Sequence, residues 1–242
     1  MKTALITGSS RGIGKAIALR LARDGFRVIV HSSGKTDKAN AVASEILKNG
    51  GEAEVVSANL CDVSQTEQLR KAAEKADVLI LNASVQYRNK WEDITVGEAT
   101  EQINCNFLSS LMLIQAAAGH MKENRWGRIV TIGSVQEAKP HPDMLVYSAT
   151  KAAQTNMVKS LALQLAGDNI TVNNIAPGVI YTDRNVEALS DPVYAEKVTR
   201  SIPLGFYGEP EDCAGIVSLI CSDEGRYITG QCLFVDGGKS VQ

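Results

Sequence analysis

The chain has 242 residues, of which 44% are hydrophobic and 21% charged, and its formal net charge is −2. This composition is typical of a folded globular protein and excludes an intrinsically disordered chain. The near-neutral charge offers no broad cationic surface, so we expect neither a nucleic-acid partner nor a membrane partner.

Short apolar runs alternate along the chain with longer segments of helical periodicity. This alternation predicts an α/β fold in which one doubly wound, seven-stranded parallel sheet is flanked by helices. We expect strands at residues 2–7, 27–31, 52–57, 77–82, 127–133, 169–175 and 231–236. We expect helices at residues 12–24, 37–49, 64–75, 97–123, 145–167 and 210–222. No linker or composition shift divides the chain, so we predict a single domain over 1–242.

Two segments lack sustained periodicity, residues 84–96 and 183–209. Both mix Pro, Gly and charged residues, and we expect them to lie outside the sheet. Segment 183–209 is our candidate substrate loop.

The five cysteines are odd in number, scattered and without a C-x-x-C pair, and the three histidines lack helical spacing. We therefore predict no disulfide framework and no metal site, and the free thiols suit a reducing compartment. The first apolar run is too short for a signal-peptide core, and no run of about 18 apolar residues occurs. We expect a cytoplasmic protein.

A glycine-rich turn follows the first predicted strand directly and opens the first helix. Its glycines stand at positions 8, 12 and 14, a spacing that departs from G-x-G-x-x-G. Glycines permit a tight turn and close backbone approach, and a helix N-terminus offers free N–H donors to phosphate. The alternative is an ordinary turn whose glycines have only a structural role. The candidate contacts to a dinucleotide here are Gly8, Ser10, Arg11, Gly12, Ile13 and Gly14.

The second predicted strand ends in Val-His-Ser-Ser-Gly-Lys at positions 30–35 and carries no carboxylate. A carboxylate there would bond the ribose 2′-hydroxyl of NAD. Arg11, Ser32, Ser33 and Lys35 could instead bind a 2′-phosphate, so we predict NADP(H) as the cofactor in preference to NAD. A solvated arginine beside a plain turn is the alternative reading.

Tyr147 and Lys151 are four residues apart in a predicted helix and therefore share one face. A nearby ammonium stabilises a phenolate, which makes a tyrosine usable as an acid or base.

In order along the chain, these motifs identify a resemblance to the short-chain dehydrogenase/reductase family of the single-domain type. The motifs are the glycine-rich turn, Asn82-Ala83, Asn106, Ser134, Tyr147 with Lys151, Pro177-Gly178 with Thr182, and Val235-Asp236-Gly237-Gly238. The chain is most similar to 3-oxoacyl-(acyl-carrier-protein) reductases. The resemblance implies a Rossmann-type fold and an NAD(P)-dependent oxidoreductase acting on ketones or secondary alcohols.

The resemblance also implies roles for the catalytic residues. Tyr147 would be the acid/base, Lys151 would support it and hold the nicotinamide ribose, and Ser134 would bond the substrate carbonyl. Asn106 would hold a water connected to Lys151, and we favour it over Asn104 because it lies 28 residues before Ser134. Further implied cofactor contacts are Asn59, Leu60, Asn82, Ala83, Pro177, Gly178, Ile180 and Thr182.

The sequence departs from the family pattern at two places. Ser84 stands where the family commonly has glycine, which bears on substrate class. Acyl-carrier docking in the family uses basic residues near the site entrance. Arg125 is present, but Asp168 stands where a second arginine is expected, which disfavours an acyl-carrier substrate.

The substrate is expected to be a small carbonyl or alcohol, with a polar or sugar-like compound fitting as well as an acyl thioester. Alternatives are a 3-oxoacyl-(acyl-carrier-protein) reductase specifically and a non-catalytic NADP-sensing protein. The family implies a homotetramer with helices 97–123 and 145–167 at its interface. The candidate substrate contacts are Tyr87, Arg88, Gln136, Glu137, His141, Arg184 and Tyr194.

Overall fold

The computed structural model describes residues 1–183 and 185–242, apart from the side chains of residues 187 and 188. Seven parallel strands form one sheet in the order β3-β2-β1-β4-β5-β6-β7. The strands are β1 Thr3–Ile6, β2 Arg27–Ser32, β3 Ala53–Ser57, β4 Val78–Leu81, β5 Gly127–Ile132, β6 Ile170–Pro177 and β7 Cys232–Val235. The helices are α1 Gly12–Arg23, α2 Asp37–Lys48, α3 Val63–Ala73, α4 Val96–Ile103, α5 Ser109–Glu123, α6 Leu145–Leu165, α7 Val186–Leu189, α8 Pro192–Arg200 and α9 Pro210–Cys221.

Both faces of the sheet are buried at the central strands β1 and β4, which explains why these two strands are apolar runs. In β1, Ala4 and Ile6 belong to the core under α1, α2 and α9, whereas Leu5 belongs to the opposite core under α3, α5 and α6. In β4 the neighbours Leu79 and Ile80 divide between the two cores in the same way. The predicted fold class is confirmed.

The order of the strands places a crevice at the carboxyl end of the central pair. β1 pairs with both β2 and β4. The chain therefore runs from β1 through β2 to β3 at one edge of the sheet, and then crosses back to place β4 on the other side of β1. Ligands of open α/β sheets bind in the crevice at this reversal point. The glycine-rich turn after β1 and Asn82 after β4 therefore lie at the same edge.

The structure differs from the sequence-based prediction in the helices. The predicted helix 97–123 consists of α4, a π-helical turn at Asn104–Leu108, and α5. Segment 183–209 lies outside the sheet as expected but contains α7 and α8, whose shortness hid their periodicity. Segment 84–96 also lies outside the sheet and contains only a 3₁₀ turn, Trp91–Asp93, before α4 begins. In the described part of the chain, no helix is long and apolar enough to cross a membrane.

Candidate active site

A cleft of about 630 Å³ opens at the carboxyl ends of the strands. It connects the glycine-rich turn with Ser134 and Tyr147. Its volume lies within the range of small-molecule and cofactor sites. The predicted site residues that line it are Gly8, Ser10, Arg11, Gly12, Ile13, Gly14, Ser32, Ser33, Asn59, Leu60, Asn82, Ala83, Ser134, Tyr147, Pro177, Gly178, Ile180 and Thr182.

The glycine-rich turn has a backbone conformation and close contacts that residues with a Cβ could not adopt. Gly8 and Gly12 have φ of +64° and +54°, in the left-handed region that favours glycine. A Cβ on Gly14 would lie 2.4 Å from Gly8 O and 2.5 Å from Asn82 Nδ2. The turn therefore brings the first turn of α1 against the end of the sheet and leaves its backbone open to the cleft.

Three side chains hold this turn in place. Asn82 Nδ2 donates to Thr7 O (2.9 Å) and Gly8 O (3.0 Å), and Thr7 Oγ1 accepts from the backbone N–H groups of Asn82 and Ala83. Gly8 N–H donates to His31 Nδ1 (2.9 Å), and His31 Nε2 donates to Ala58 O (2.9 Å). Burial lowers the pKa of His31 to about 4. His31 is therefore neutral near pH 7, with Nδ1 as the acceptor.

The end of β2 presents a buried hydroxyl to the cleft. Ser32 is 4% exposed, and its Oγ has no hydrogen-bond partner among the described residues. Such an orphaned buried group is uncommon and indicates a site for a polar ligand. Ser33 is exposed beside it, and Arg11 forms an exposed ion pair with Asp183 at 3.7 Å. Lys35 lies outside the lining of the cleft, so its proposed contact to a 2′-phosphate has no support from this geometry.

The loop after β3 lines the cleft with Asn59 and Leu60. Asn59 Oδ1 accepts from the N–H of Cys61 (3.1 Å), whereas Asp62 caps α3 by accepting from Ser64 N–H. Asp62, and not Asn59, is therefore the N-cap of α3, and Asn59 lines the cleft.

Helix α6 carries Tyr147 and Lys151 on its buried face. Tyr147 is 6% exposed and lines the cleft, whereas Lys151 is 1% exposed and lies behind it. Lys151 Nζ lies 5.7 Å from the centroid of the Tyr147 ring and donates to Ile132 O (2.7 Å). Ser134 follows β5 and caps the 3₁₀ turn Val135–Glu137, where its Oγ accepts from Gln136 N–H. These positions bring a phenol, a hydroxyl and a buried cation to one end of the cleft.

Asn106 lies in the π-helical turn and is fully buried. Its side chain accepts from Val85 N–H and donates to Val85 O, both at 2.9 Å, and it donates to Thr150 Oγ1 in α6 at 3.1 Å. Asn104 instead donates to Cys61 O (3.1 Å) and so contacts the loop after β3. Of the two candidates, Asn106 is the one joined to α6, the helix that carries Tyr147 and Lys151.

Sequence reasoning missed Gln154, which is fully buried one turn after Lys151. Gln154 Oε1 accepts from Lys151 Nζ (3.0 Å), and its Nε2 donates to Ser110 Oγ (2.9 Å). Ser110 Oγ donates in turn to Asn106 O at 3.4 Å. A polar residue three positions after Lys151, on the face of α6 that carries it, was the available signal.

The predicted substrate residues divide into two groups. Arg88, Gln136, His141 and Tyr194 line the cleft. Tyr87 and Glu137 were wrongly included: Tyr87 donates to the Glu101 carboxylate, and Glu137 accepts from Asn174 Nδ2 and Cys232 Sγ. Arg184 lies outside the described residues. Lining residues that sequence reasoning missed include Lys139, Ser201, Lys239 and Gln242.

The expected position of Arg125 near the site entrance is wrong for a single chain. Arg125 and Asp168 precede β5 and β6, so they lie at the amino ends of the strands, opposite the cleft. Arg125 Nη1 lies 3.5 Å from Asp168 Oδ1, and this ion pair neutralises the one arginine present.

Comparisons with known proteins decide the family. A family model described as Enoyl-(Acyl carrier protein) reductase matches residues 8–240. The 3-oxoacyl-(acyl-carrier-protein) reductase FabG of Staphylococcus aureus (strain Mu50) is 38% identical over 241 residues, which cover 98% of this chain and 97% of that protein. The chain belongs to the short-chain dehydrogenase/reductase family. This membership confirms the predicted family and enzyme class, an NAD(P)-dependent oxidoreductase.

Two further short-chain dehydrogenase/reductases show the range of named activities among the relatives. The L-rhamnose 1-dehydrogenase (NAD(P)(+)) of Azotobacter vinelandii is 38% identical over 248 residues, covering 99% of this chain and 97% of that protein. The crystal structure of a 3-oxoacyl (acyl-carrier-protein) reductase from Agrobacterium tumefaciens C58, with NADP bound, has a TM-score of 0.93 and 36% identity. The match covers 98% of this chain and 93% of the chain in that structure. Relatives of similar identity thus act on different substrates.

Proposed function

We propose that the protein is an NADP(H)-dependent reductase or dehydrogenase that transfers a hydride between the nicotinamide and a ketone or secondary alcohol. The observation that carries this proposal is the single cleft that joins a phosphate-binding turn to Ser134 and Tyr147. A non-catalytic NADP-sensing protein would not need this phenol with a buried lysine one turn away.

The residues at the cofactor end fit NADP. The open backbone of the glycine-rich turn suits a pyrophosphate, and the orphaned Ser32 hydroxyl suits a further polar group at the end of β2. Arg11 lies within the same lining, and the NADP-bound relative supports this choice. When bound, NADPH supplies the hydride, a chemistry that no side chain provides.

The residues at the other end supply the proton and the orientation. Tyr147 is the acid/base, Ser134 donates a hydrogen bond to the carbonyl oxygen, and the Lys151 charge favours the phenolate form of Tyr147. Lys151 would also hold the nicotinamide ribose. Asn106 acts as a positioning residue, because it ties the Val85 loop to α6 through Thr150.

The substrate class that we propose is a small polar ketone or sugar-like alcohol. The lining of the cleft contains Arg88, Gln136, Lys139 and His141, which suit hydroxyl or carboxylate groups better than a long alkyl chain. The L-rhamnose 1-dehydrogenase among the relatives supports this choice. A 3-oxoacyl-(acyl-carrier-protein) reductase remains the second candidate because of the FabG relatives.

The reaction is tested with Tyr147→Phe. We expect turnover to be abolished while NADPH binding, followed by its fluorescence, stays nearly unchanged, because only proton transfer needs the hydroxyl. Tyr227→Phe is the matched control, since Tyr227 is 99% exposed. Ketone reduction that survives in Tyr147→Phe would refute the assignment of the acid/base.

The substrate class is tested by following NADPH oxidation across sugar ketones, ketoacyl thioesters, pteridines and quinones. We expect the highest kcat/KM for a polar ketone. Highest kcat/KM for a ketoacyl thioester would instead favour the second candidate. No oxidation of NADPH by any member of the panel, with binding intact, would favour the sensing protein.

We propose further that this single-domain enzyme is a cytoplasmic homotetramer. An apolar groove between α5 and α6 supports this assembly, and Leu163 on α6 is 86% exposed. The groove is lined by Phe107, Leu111, Ile114, Met157 and Leu161, among others. Sedimentation at increasing concentration tests the assembly, and a monomer throughout the concentration range would contradict it.

A further inference from the structure

Positive side chains predominate in the lining of the cleft. Among the described lining residues, Arg11, Arg88, Lys139 and Lys239 are basic, and Asp183 alone is acidic. Asp183 lies at the cofactor end, where it pairs with Arg11 at 3.7 Å. The proposed 2′-phosphate contact accounts for Arg11 but not for the two lysines. Because a concave surface of one sign concentrates ligands of the opposite sign, the lysines indicate a second anionic group.

Lys139 and Lys239 meet at the cleft from distant parts of the chain. Lys139 lies in the segment that joins Ser134 to α6, and Lys239 begins the 3₁₀ turn Lys239–Val241 after β7. Lys139 Nζ donates to Lys239 O (3.3 Å) and to Gln242 O (2.8 Å). The ammonium of Lys139 therefore lies against the main chain of the second lysine, and both residues line the cleft.

The segment after α8 holds the Lys239 ammonium in place. Its Nζ donates to Ser201 Oγ (2.5 Å), directly after α8. The N–H of Leu204 donates to Gly237 O (3.1 Å), so the turn after β7 packs against this same segment. Burial and the neighbouring Lys139 ammonium lower the pKa of Lys239. The fold thus fixes one cation close to another of the same sign.

Neither lysine forms an ion pair with an aspartate or glutamate in the part of the chain that the structure describes. Asp236 is close to Lys239, but its carboxylate accepts from Gly238 N–H (2.9 Å) and Ser240 N–H (2.6 Å) and so holds the turn. An ammonium has three N–H donors, of which these contacts use two in Lys139 and one in Lys239. Donors on both lysines therefore remain for a bound anion.

We propose that Lys139 and Lys239 bind a carboxylate of the substrate, so that the enzyme acts on ketones that carry an acid group and on the corresponding hydroxy acids. This inference rests on the proposed function and narrows its polar ketone to an anionic one. A carboxylate accepts at two oxygens, so each oxygen takes one ammonium. The carbonyl carbon gains the hydride of NADPH and the carbonyl oxygen gains the Tyr147 proton. The ketone is reduced to an alcohol, NADPH is oxidised to NADP⁺, and the carboxylate is unchanged.

The test compares substrates that differ only in the acid group. Two such pairs are acetoacetate with acetoacetamide, and 2-keto-D-gluconate with its methyl ester. With saturating NADPH, we expect kcat/KM for the acid to exceed that for its neutral partner by roughly tenfold or more in at least one pair. The preference should shrink in about 0.5 M salt, which screens exposed charges. A neutral partner that reacts as well as the acid in both pairs would overturn the proposal.

Lys139→Met and Lys239→Met test the two ammonium groups directly. Each should lower the ratio of kcat/KM for acid to neutral substrate by roughly tenfold, the change expected when a hydrogen bond to a charged group is lost. Lys48→Met is the matched control, because Lys48 is exposed at the end of α2 and outside the lining of the cleft. An unchanged ratio in both cleft variants would overturn the proposal. A tenfold rise in the Kd for NADPH with no change in the ratio would do so too, because the lysines would then belong to the cofactor site.

Calorimetric titration distinguishes failure of this proposal from failure of the proposed function. The enzyme saturated with NADP⁺ is titrated with 2-keto-D-gluconate, in the wild type and in both cleft variants. Binding that the variants lose, without turnover of any compound, would support the lysine site and refute the reductase. Equal turnover of acids and neutral partners would support the reductase and refute the lysine site. Acids that neither bind nor react would also overturn the proposal. The wild-type comparison decides even if a variant fails to fold.

Discussion

Removing the Ser32 hydroxyl tests whether this group binds a ligand or stabilises the fold. Ser32 Oγ is buried in the lining of the cleft and has no partner among the described residues. Ser32→Ala therefore breaks no hydrogen bond of the described structure. A buried polar group without a partner costs about 1–3 kcal/mol. We therefore expect the free energy of unfolding to stay constant or to rise.

The same substitution should weaken the binding of NADPH. A hydrogen bond to a charged group contributes about 1.5–3 kcal/mol, so loss of a contact to the 2′-phosphate corresponds to a Kd roughly ten- to a hundredfold higher. NADH lacks this phosphate, and its Kd should change by less than about twofold. Ser32→Asp should go further and favour NADH, because the carboxylate repels a phosphate.

Both Kd values are measured by titrating the free enzyme with each nucleotide and following nicotinamide fluorescence. Ser44→Ala is the matched control, since Ser44 is exposed on α2 and lies outside the lining of the cleft. Urea denaturation of the same preparations gives the free energy of unfolding. An equal loss of NADPH and NADH affinity in Ser32→Ala, or a marked destabilisation, would refute the assignment of Ser32 to the 2′-phosphate.

Three further predictions concern stability, each checked by urea denaturation. Gly14→Ala should lower the free energy of unfolding by about 3 kcal/mol because its Cβ overlaps Gly8 O; in the control Gly119→Ala, helix α5 has open space at that position and should gain up to about 1 kcal/mol. Gln154→Leu should cost about 2 kcal/mol, since the buried Lys151 ammonium loses an acceptor; unchanged stability would contradict this. His31 binds a proton near pH 4 when folded and near 6.5 when unfolded, so about 3 kcal/mol of stability should be lost as the pH falls between these values. His31→Asn should remove that component, and identical pH profiles would contradict the assignment.

The sheet was predictable because its signal is local and repeated. The central strands β1 and β4 are apolar runs buried on both faces, and each of the six long helical segments was recognised from its periodicity. The predicted strands differ from those observed by at most two residues at either end. The short helices α7 and α8 escaped because four and nine residues span too few turns to show an amphipathic period.

The cofactor end of the site was more predictable than the substrate end. The glycine-rich turn, Ser32 and Asn82 all follow directly from strand ends, and parallel strands bring such ends to one edge. Lys239 and Gln242 reach the cleft only because β7 lies beside β6 and ends at the same edge. Glu137 was misassigned because its partners Asn174 and Cys232 are distant in sequence, and no periodicity marks such a network.

The π-helical turn shows most clearly why local patterns alone were insufficient. Residues 97–123 carry helical periodicity, and a regular α-helix satisfies it, yet Ser109 N–H donates to Asn104 O, five residues earlier. The wider turn buries the consecutive residues Cys105 and Asn106 together. Consecutive residues of an α-helix point about 100° apart, so this placement needs partners on two sides. Asn106 finds them in Val85 and Thr150, so the turn is held by contacts that form only after the sheet has brought these segments together. π-Helical turns are frequent at functional sites, and here the turn positions Asn106, which joins the Val85 loop to α6 through Thr150.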